Sequence, residues 1–126
     1  GALKIKEIAY VHAEGYAAGE MKHGPIALID KGMPVLAIAT SSKMLHLVAG
    51  NIEEAKARGA QVVAIVDEDS RQHIKASQYI TVPKTLEILS PLVNVVPLQM
   101  FAYFIALAKK CDIDKPRNLA KSVTVR

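Results

Sequence analysis

The sequence predicts an α/β domain in three layers, a mainly parallel sheet with helices on both faces. Two continuous apolar runs, 34–39 and 62–66, have the length and composition of strands buried on both sides. Between them lies a stretch with apolar residues at helical spacing, and this alternation marks parallel βαβ units. With 126 residues, 51% hydrophobic and 22% charged, the chain suits one domain with a sizeable core. Disorder is excluded as its main state.

Residues 2–14 read as a helix. Leu3, Ile8 and Val11 fall near one face, with Lys4, Lys6, Glu7 and Glu14 at polar positions. The pattern is already running at the first residue, without an N-cap or an initiator Met, and reads as a chain cut inside an element. Charges in the opening residues break any run resembling a signal peptide. Residues 15–25 hold three glycines and one proline, which predicts a loop with room for one helical turn. A short apolar stretch, 26–32, leads to a turn at Lys31 and Gly32.

Strands are expected at 35–39, 62–66 and 78–82. Thr40, Ser41 and Ser42 can cap the helix of 43–58, and Arg58-Gly59 signals its end. Asp67, Glu68 and Asp69 read as a solvated acidic turn, with metal binding as the alternative. Residues 86–110 are strongly apolar but interrupted by Pro91 and Pro97, so a broken or kinked core helix is expected. The apolar part, 92–108, holds Asn94, Pro97 and Gln99 and falls short of the ~20 apolar residues of a membrane span. The tail, 112–126, is polar; Pro116 stops the helix and 122–125 can be extended. No internal repeat divides the chain, so 1–126 is taken as a single domain that includes this tail.

Composition narrows the function classes. Aromatics are 5% with no Trp, so a stacking platform for single-stranded nucleic acid is not expected. The net charge of +4 comes from basic residues scattered along the chain, which suits an anionic metabolite better than nucleic acid. The single cysteine, Cys111, excludes an internal disulfide framework and by itself makes no zinc site. No metal or cofactor is expected, and a reducing, cytoplasmic setting fits the cysteine usage.

Several residues can carry chemistry. Lys4 and Glu7, three apart on a helix, form either a surface ion pair or a proton-transfer pair in which each tunes the other's pKa. His23, in a loop bounded by Gly24 and Pro25, is presented rather than packed and can move a proton near neutral pH. Thr40, Ser41, Ser42 and Asp67 fall at the carboxyl ends of strands, where ligands of such folds bind. At a helix start the three hydroxyls and nearby N–H groups can bind phosphate, but simple N-capping explains them as well and is the preferred reading. Lys121 is either a solvated tail residue or, if the tail folds over a site and desolvates it, a Schiff-base nucleophile. Cys111 has no base beside it and reads as inert, while His12, His46 and His73 show no ligand spacing.

Taken together, the opening GALKIKEIAYVHAEGYAAGEMKHGPIALID and the ending KPRNLAKSVTV resemble the glutamine–fructose-6-phosphate aminotransferase family, the glucosamine-6-phosphate synthases. The resemblance extends through NIEEAKARGAQVVAIVDED and VPLQMFAY, so it covers essentially the whole chain. It is to the second sugar isomerase (SIS) domain at that family's C-terminus, and it implies a SIS-type sandwich. It further implies a substrate, fructose 6-phosphate, and a product, glucosamine 6-phosphate. Glu7 would be the general base moving a proton between C1 and C2, with Lys4 assisting. His23 would open the sugar ring, reaching the site of a neighbouring subunit in a homodimer. Lys121 would form an imine at the sugar carbonyl, and Ala120 would line the pocket through its backbone. The family's glutaminase domain and first SIS domain have no counterpart in this sequence, which reads as an N-terminally truncated second SIS domain, inactive alone. Arg126 stands where the family commonly has Glu. A regulatory sugar-phosphate-binding module and a dimerisation domain are the alternatives; neither requires Glu7 or Lys121.

Overall fold

A computed structural model describes residues 1–119. They form two compact units: Tyr16–Asn94, and Gly1–Gly15 together with the chain from Val95 onward.

The first of these holds the sheet. Strands β1 (Pro34–Ile38), β2 (Gln61–Val66) and β3 (Gln78–Thr81) lie in the order β1-β2-β3, and both pairings are parallel. Val35 faces Val62 across one pair, and Ile65 faces Ile80 across the other. As the central strand, β2 is shielded on both sides, and Val62, Ala64, Ile65 and Val66 are fully buried. That explains its unbroken apolar run, whereas a strand with one wet face would alternate. Pro34 opens β1, a position where a missing N–H costs no ladder bond. Helix α2 (Leu45–Ala57) turns Ile52 and Ala55 into the core, joined by Met21, Ala39, Ala60 and Ile74.

Helix α2 ends in a Schellman motif: Ala60 N–H donates to the Ala55 carbonyl and Gly59 N–H to that of Lys56. Gly59 has φ 94°, and a Cβ there would stand 2.9 Å from Lys31 Cα, so the end signal read at Arg58-Gly59 has a steric cause. A short helix, α3 (Glu68–Arg71), follows β2 directly.

The second unit is helical. Helix α1 is confined to Ala2–Ala9, shorter than the 2–14 expected, because Tyr10 adopts the left-handed conformation (φ 54°, ψ 39°) and stops it. Ile5 and Ala9 of α1 bury against Ala102 and Ala106 of helix α4 (Ser90–Ala108), with Ile113 packed alongside. The break expected within 86–110 is not found: a 3-10 turn, Glu87–Leu89, runs directly into α4, which is continuous from Ser90 to Ala108. Pro91 sits in the first turn of α4, where no N–H is needed, and the helix continues through Pro97 despite the lost bond there.

The segment Glu87–Ala108 is long and apolar enough to cross a membrane, and only 17% of its apolar window is buried. The expected core helix therefore leaves much of its surface uncovered, with Val96, Met100, Phe104 and Leu107 more than half exposed.

Candidate active site

In the helical unit, Lys4 and Glu7 point to the same side of α1. The ammonium donates to Glu7 Oε2 at 2.6 Å. Helical geometry sets this pairing, since residues three apart lie ~60° apart around the axis. The Glu7 side chain retains 26% of its exposure, and it borders a cleft of about 270 Å³. Lys6, Tyr10, Arg117, Asn118 and Leu119 line the rest. The start of the polar tail thus lies beside Glu7, although more than a hundred residues separate them in sequence.

The tail reaches that position through definite contacts. Ile113 anchors it in the apolar cluster of α1 and α4. Asp112 Oδ1 accepts from the amides of Asp114 and Lys115, which turns the chain after α4. Arg117 N–H donates to the Tyr10 hydroxyl at 2.7 Å, and its guanidinium lies 4.2 Å from the centre of the same ring. Asn118, at φ 62°, takes a left-handed conformation that asparagine tolerates. Ala120 and Lys121 lie outside the described residues, as do Val123, Val125 and Arg126.

His23 belongs to the sheet unit. It is exposed at the end of a 3-10 turn, Ala18–His23, where Gly24 at φ 147° redirects the chain. Buried Met21 and the ion pair of Lys22 with Glu54 on α2, 2.7 Å, fasten this loop just before the histidine. It is therefore an anchored loop that presents its histidine.

The carboxyl edge of the sheet overturns two expectations. Asp67 is not part of a solvated turn: it is 3% exposed and caps α3 with a capping box to Ser70. Its carboxylate also accepts from Ser41, at 2.6 Å from the amide and 2.7 Å from the hydroxyl. Burial pushes this carboxyl up, but the bonds from Ser41 and Ser70 outweigh it and hold the pKa at about 2. Nor do the three hydroxyls simply cap α2, whose N-cap position is Met44 and carries no side-chain bond. Ser41 is bound to Asp67, Thr40 Oγ1 accepts from Asn94 Nδ2 at 3.1 Å, and Ser42 Oγ accepts from the Met44 amide. Asn94 Oδ1 is buried with no partner among the described residues.

His46 and His73, to which the sequence assigned no role, line one open hollow with Ser42, Leu45 and Ala49. Among the described residues no group of three or more His, Cys, Asp or Glu side chains is arranged to hold a metal. Cys111 is half-buried against the α1–α4 cluster.

Sequence reasoning missed Tyr10 and Arg117. Both stand inside the two end motifs, but an aromatic at a helix end and an arginine in a polar tail carry no local sign of meeting.

The SIS domain model matches residues 1–109. The glutamine–fructose-6-phosphate aminotransferase [isomerizing] of Methanosarcina acetivorans is 56% identical over 126 residues, covering 99% of this chain and 20% of that protein. The protein of the same name from Thermococcus kodakarensis is 53% identical over 125 residues, covering 99% and 21%. Among solved structures, the C-terminal domain of glucosamine-fructose-6-phosphate aminotransferase from Francisella tularensis superposes with a TM-score of 0.87 at 37% identity. The match covers 90% of this chain and 32% of that one. The glucosamine-6-phosphate deaminase of Thermotoga maritima gives a TM-score of 0.74 at 30% identity, covering 97% and 34%. The chain spans about a fifth of the length of the curated relatives it matches. Parallel sheet, helices and family match agree, and the chain belongs to the SIS domain family.

Proposed function

We propose that this chain, 1–126, is the second SIS domain of an enzyme converting fructose 6-phosphate and glutamine to glucosamine 6-phosphate, and that it supplies part of the isomerase site. The observation that carries the reading is the cleft where Glu7 meets Arg117, Asn118 and Leu119. Isomerisation needs a base over the C1–C2 carbons and a group that activates the carbonyl. Glu7 is a carboxylate bordering a cleft, suited to take the proton, and Lys4 holds it in place through the 2.6 Å bond. Two residues of chain span at most ~7 Å, so Lys121 follows Leu119 closely enough to serve the same cleft with its imine chemistry, and Ala120 to line it. His23 opens the sugar ring, supported by its exposure on an anchored loop.

The glutaminase and first SIS domains belong to the rest of that enzyme, in keeping with the fivefold greater length of the relatives. The enzyme is a cytoplasmic homodimer. The uncovered apolar surface of α4 favours association, while Asn94 and Pro97 within it disfavour a membrane span. The regulatory module and the dimerisation domain are less favoured, since neither gives a reason for a carboxylate and the tail to share a cleft.

The test is trapping with borohydride in the presence of fructose 6-phosphate. The full-length wild-type polypeptide should be trapped at Lys121, and Lys121→Arg, which keeps the charge but forms no imine, should not be. Equal trapping of the two would assign the imine to another lysine.

A further inference from the structure

Tyr10 is placed in a way that the reaction chemistry alone does not require. It takes a left-handed conformation at φ 54°, which is costly for a side chain with a Cβ and is normally left to glycine. Strain of this kind persists where surrounding contacts over-determine it. Here the contacts are those to Arg117: the hydroxyl accepts the Arg117 amide at 2.7 Å, and the ring face receives the guanidinium at 4.2 Å. The same ring and the same arginine border the Glu7 cleft. One aromatic side chain therefore closes helix α1, three residues beyond Glu7, and grips the backbone of the tail four residues before Lys121.

We infer that Tyr10 is a positioning residue: through its hydroxyl and ring it pins the strap 116–119 against α1 and sets the point from which the chain continues to Lys121. This rests on the proposed role of Lys121. A tail carrying a reactive lysine must return to one position relative to the base, since a misplacement of ~1 Å is enough to cost about 100-fold. Among the described residues of the tail, Ile113 is packed, whereas Leu119 is 51% exposed. Between these two residues, Tyr10 supplies the directional contacts to Arg117.

The test compares wild type, Tyr10→Phe and Tyr10→Gly in the full-length polypeptide. Phe keeps the ring and removes the acceptor; Gly removes both and relieves the backbone at φ 54°. Hydrogen exchange at the Arg117 amide should quicken about 5-fold in Tyr10→Phe, the worth of one hydrogen bond, and further in Tyr10→Gly. The rate of borohydride trapping at saturating fructose 6-phosphate should fall in the same order, with little change in melting temperature or in KM for the sugar. A merely structural Tyr10 would make trapping follow stability instead. Unchanged exchange, or quickened exchange with undiminished trapping, would overturn the inference. If wild type itself does not trap, the role of Lys121 fails and the inference with it. That outcome is distinct from failure of the clamp alone, in which wild type traps and the variants match it.

Discussion

The sheet unit and the helical unit solve the same backbone problem with different residues. Where the sheet unit needs a positive φ it uses glycine, at Gly24, Gly32 and Gly59. Among the described residues, every non-glycine with a positive φ lies in the helical unit: Tyr10, Lys110 and Asn118. Lys110 ends α4 with the same Schellman bonds that Gly59 gives α2, Cys111 to Ala106 and Lys110 to Leu107. Their acidic groups differ likewise. Asp67, buried in the sheet unit, has its carboxylate committed to Ser41 and Ser70, whereas Glu7 holds one ion pair at a cleft and keeps the rest of its bonding capacity. In the sheet unit the positive-φ positions are glycines and the buried carboxylate is fully bonded, although Asn94 Oδ1 stays unpartnered among the described residues. The helical unit sets two strained positions, Tyr10 and Asn118, and a carboxylate with bonding capacity to spare around the proposed site, a distribution expected when a scaffold carries a working edge.

The largest effect should come from the satisfied carboxylate. Asp67→Asn removes a buried charge that orders Ser41 and Ser70, and should cost about 3 kcal/mol in urea unfolding. Its pH dependence has a definite sign. The folded pKa of about 2 lies below the ordinary aspartate value of 3.8, so this stability is fully present above the unfolded pKa. It is lost as pH falls from near 4 towards 2, and amounts to about 2 kcal/mol. Wild type should therefore show this acid loss, and Asp67→Asn should lack it.

Residues 16–94 were largely legible in the sequence because burial on both faces writes a continuous apolar run. Strands expected at 35–39, 62–66 and 78–82 appear within a residue or so of their observed bounds. Asp67 was misread because its satisfaction comes from Ser41, 26 residues away, across a strand edge that no local pattern reveals. The helix of 2–14 was overextended because apolar spacing continues past Tyr10, while the left-handed turn there is held by a distant arginine. Helix α4 was expected to be core because its composition suits a core; the same composition suits a surface awaiting cover. Of the proposed site, Lys4 and Glu7 were paired correctly from spacing. The cleft they share with Arg117 to Leu119 was not legible from spacing, since no periodicity links residues so far apart.

A matched pair of substitutions sharpens the backbone contrast. Gly59→Ala adds a Cβ 2.9 Å from Lys31 Cα at a left-handed position and should cost about 2 kcal/mol. Lys110→Gly relaxes an equivalent helix end and should stabilise by about 0.5–1 kcal/mol, read from the same unfolding curves. Two losses, or two gains, would dissolve the contrast between the units.

The smallest effect on folding should come from Glu7→Gln, within about 0.5 kcal/mol, because a partly exposed ion pair contributes little. Its consequence belongs to chemistry. The most direct measurement is exchange of the sugar C1 or C2 proton with solvent, catalysed by the full-length polypeptide carrying Glu7→Gln. Exchange should slow by about 10² to 10⁴ relative to wild type, with sugar binding largely kept. Exchange at the wild-type rate in a folded, sugar-binding Glu7→Gln protein would remove Glu7 as the base.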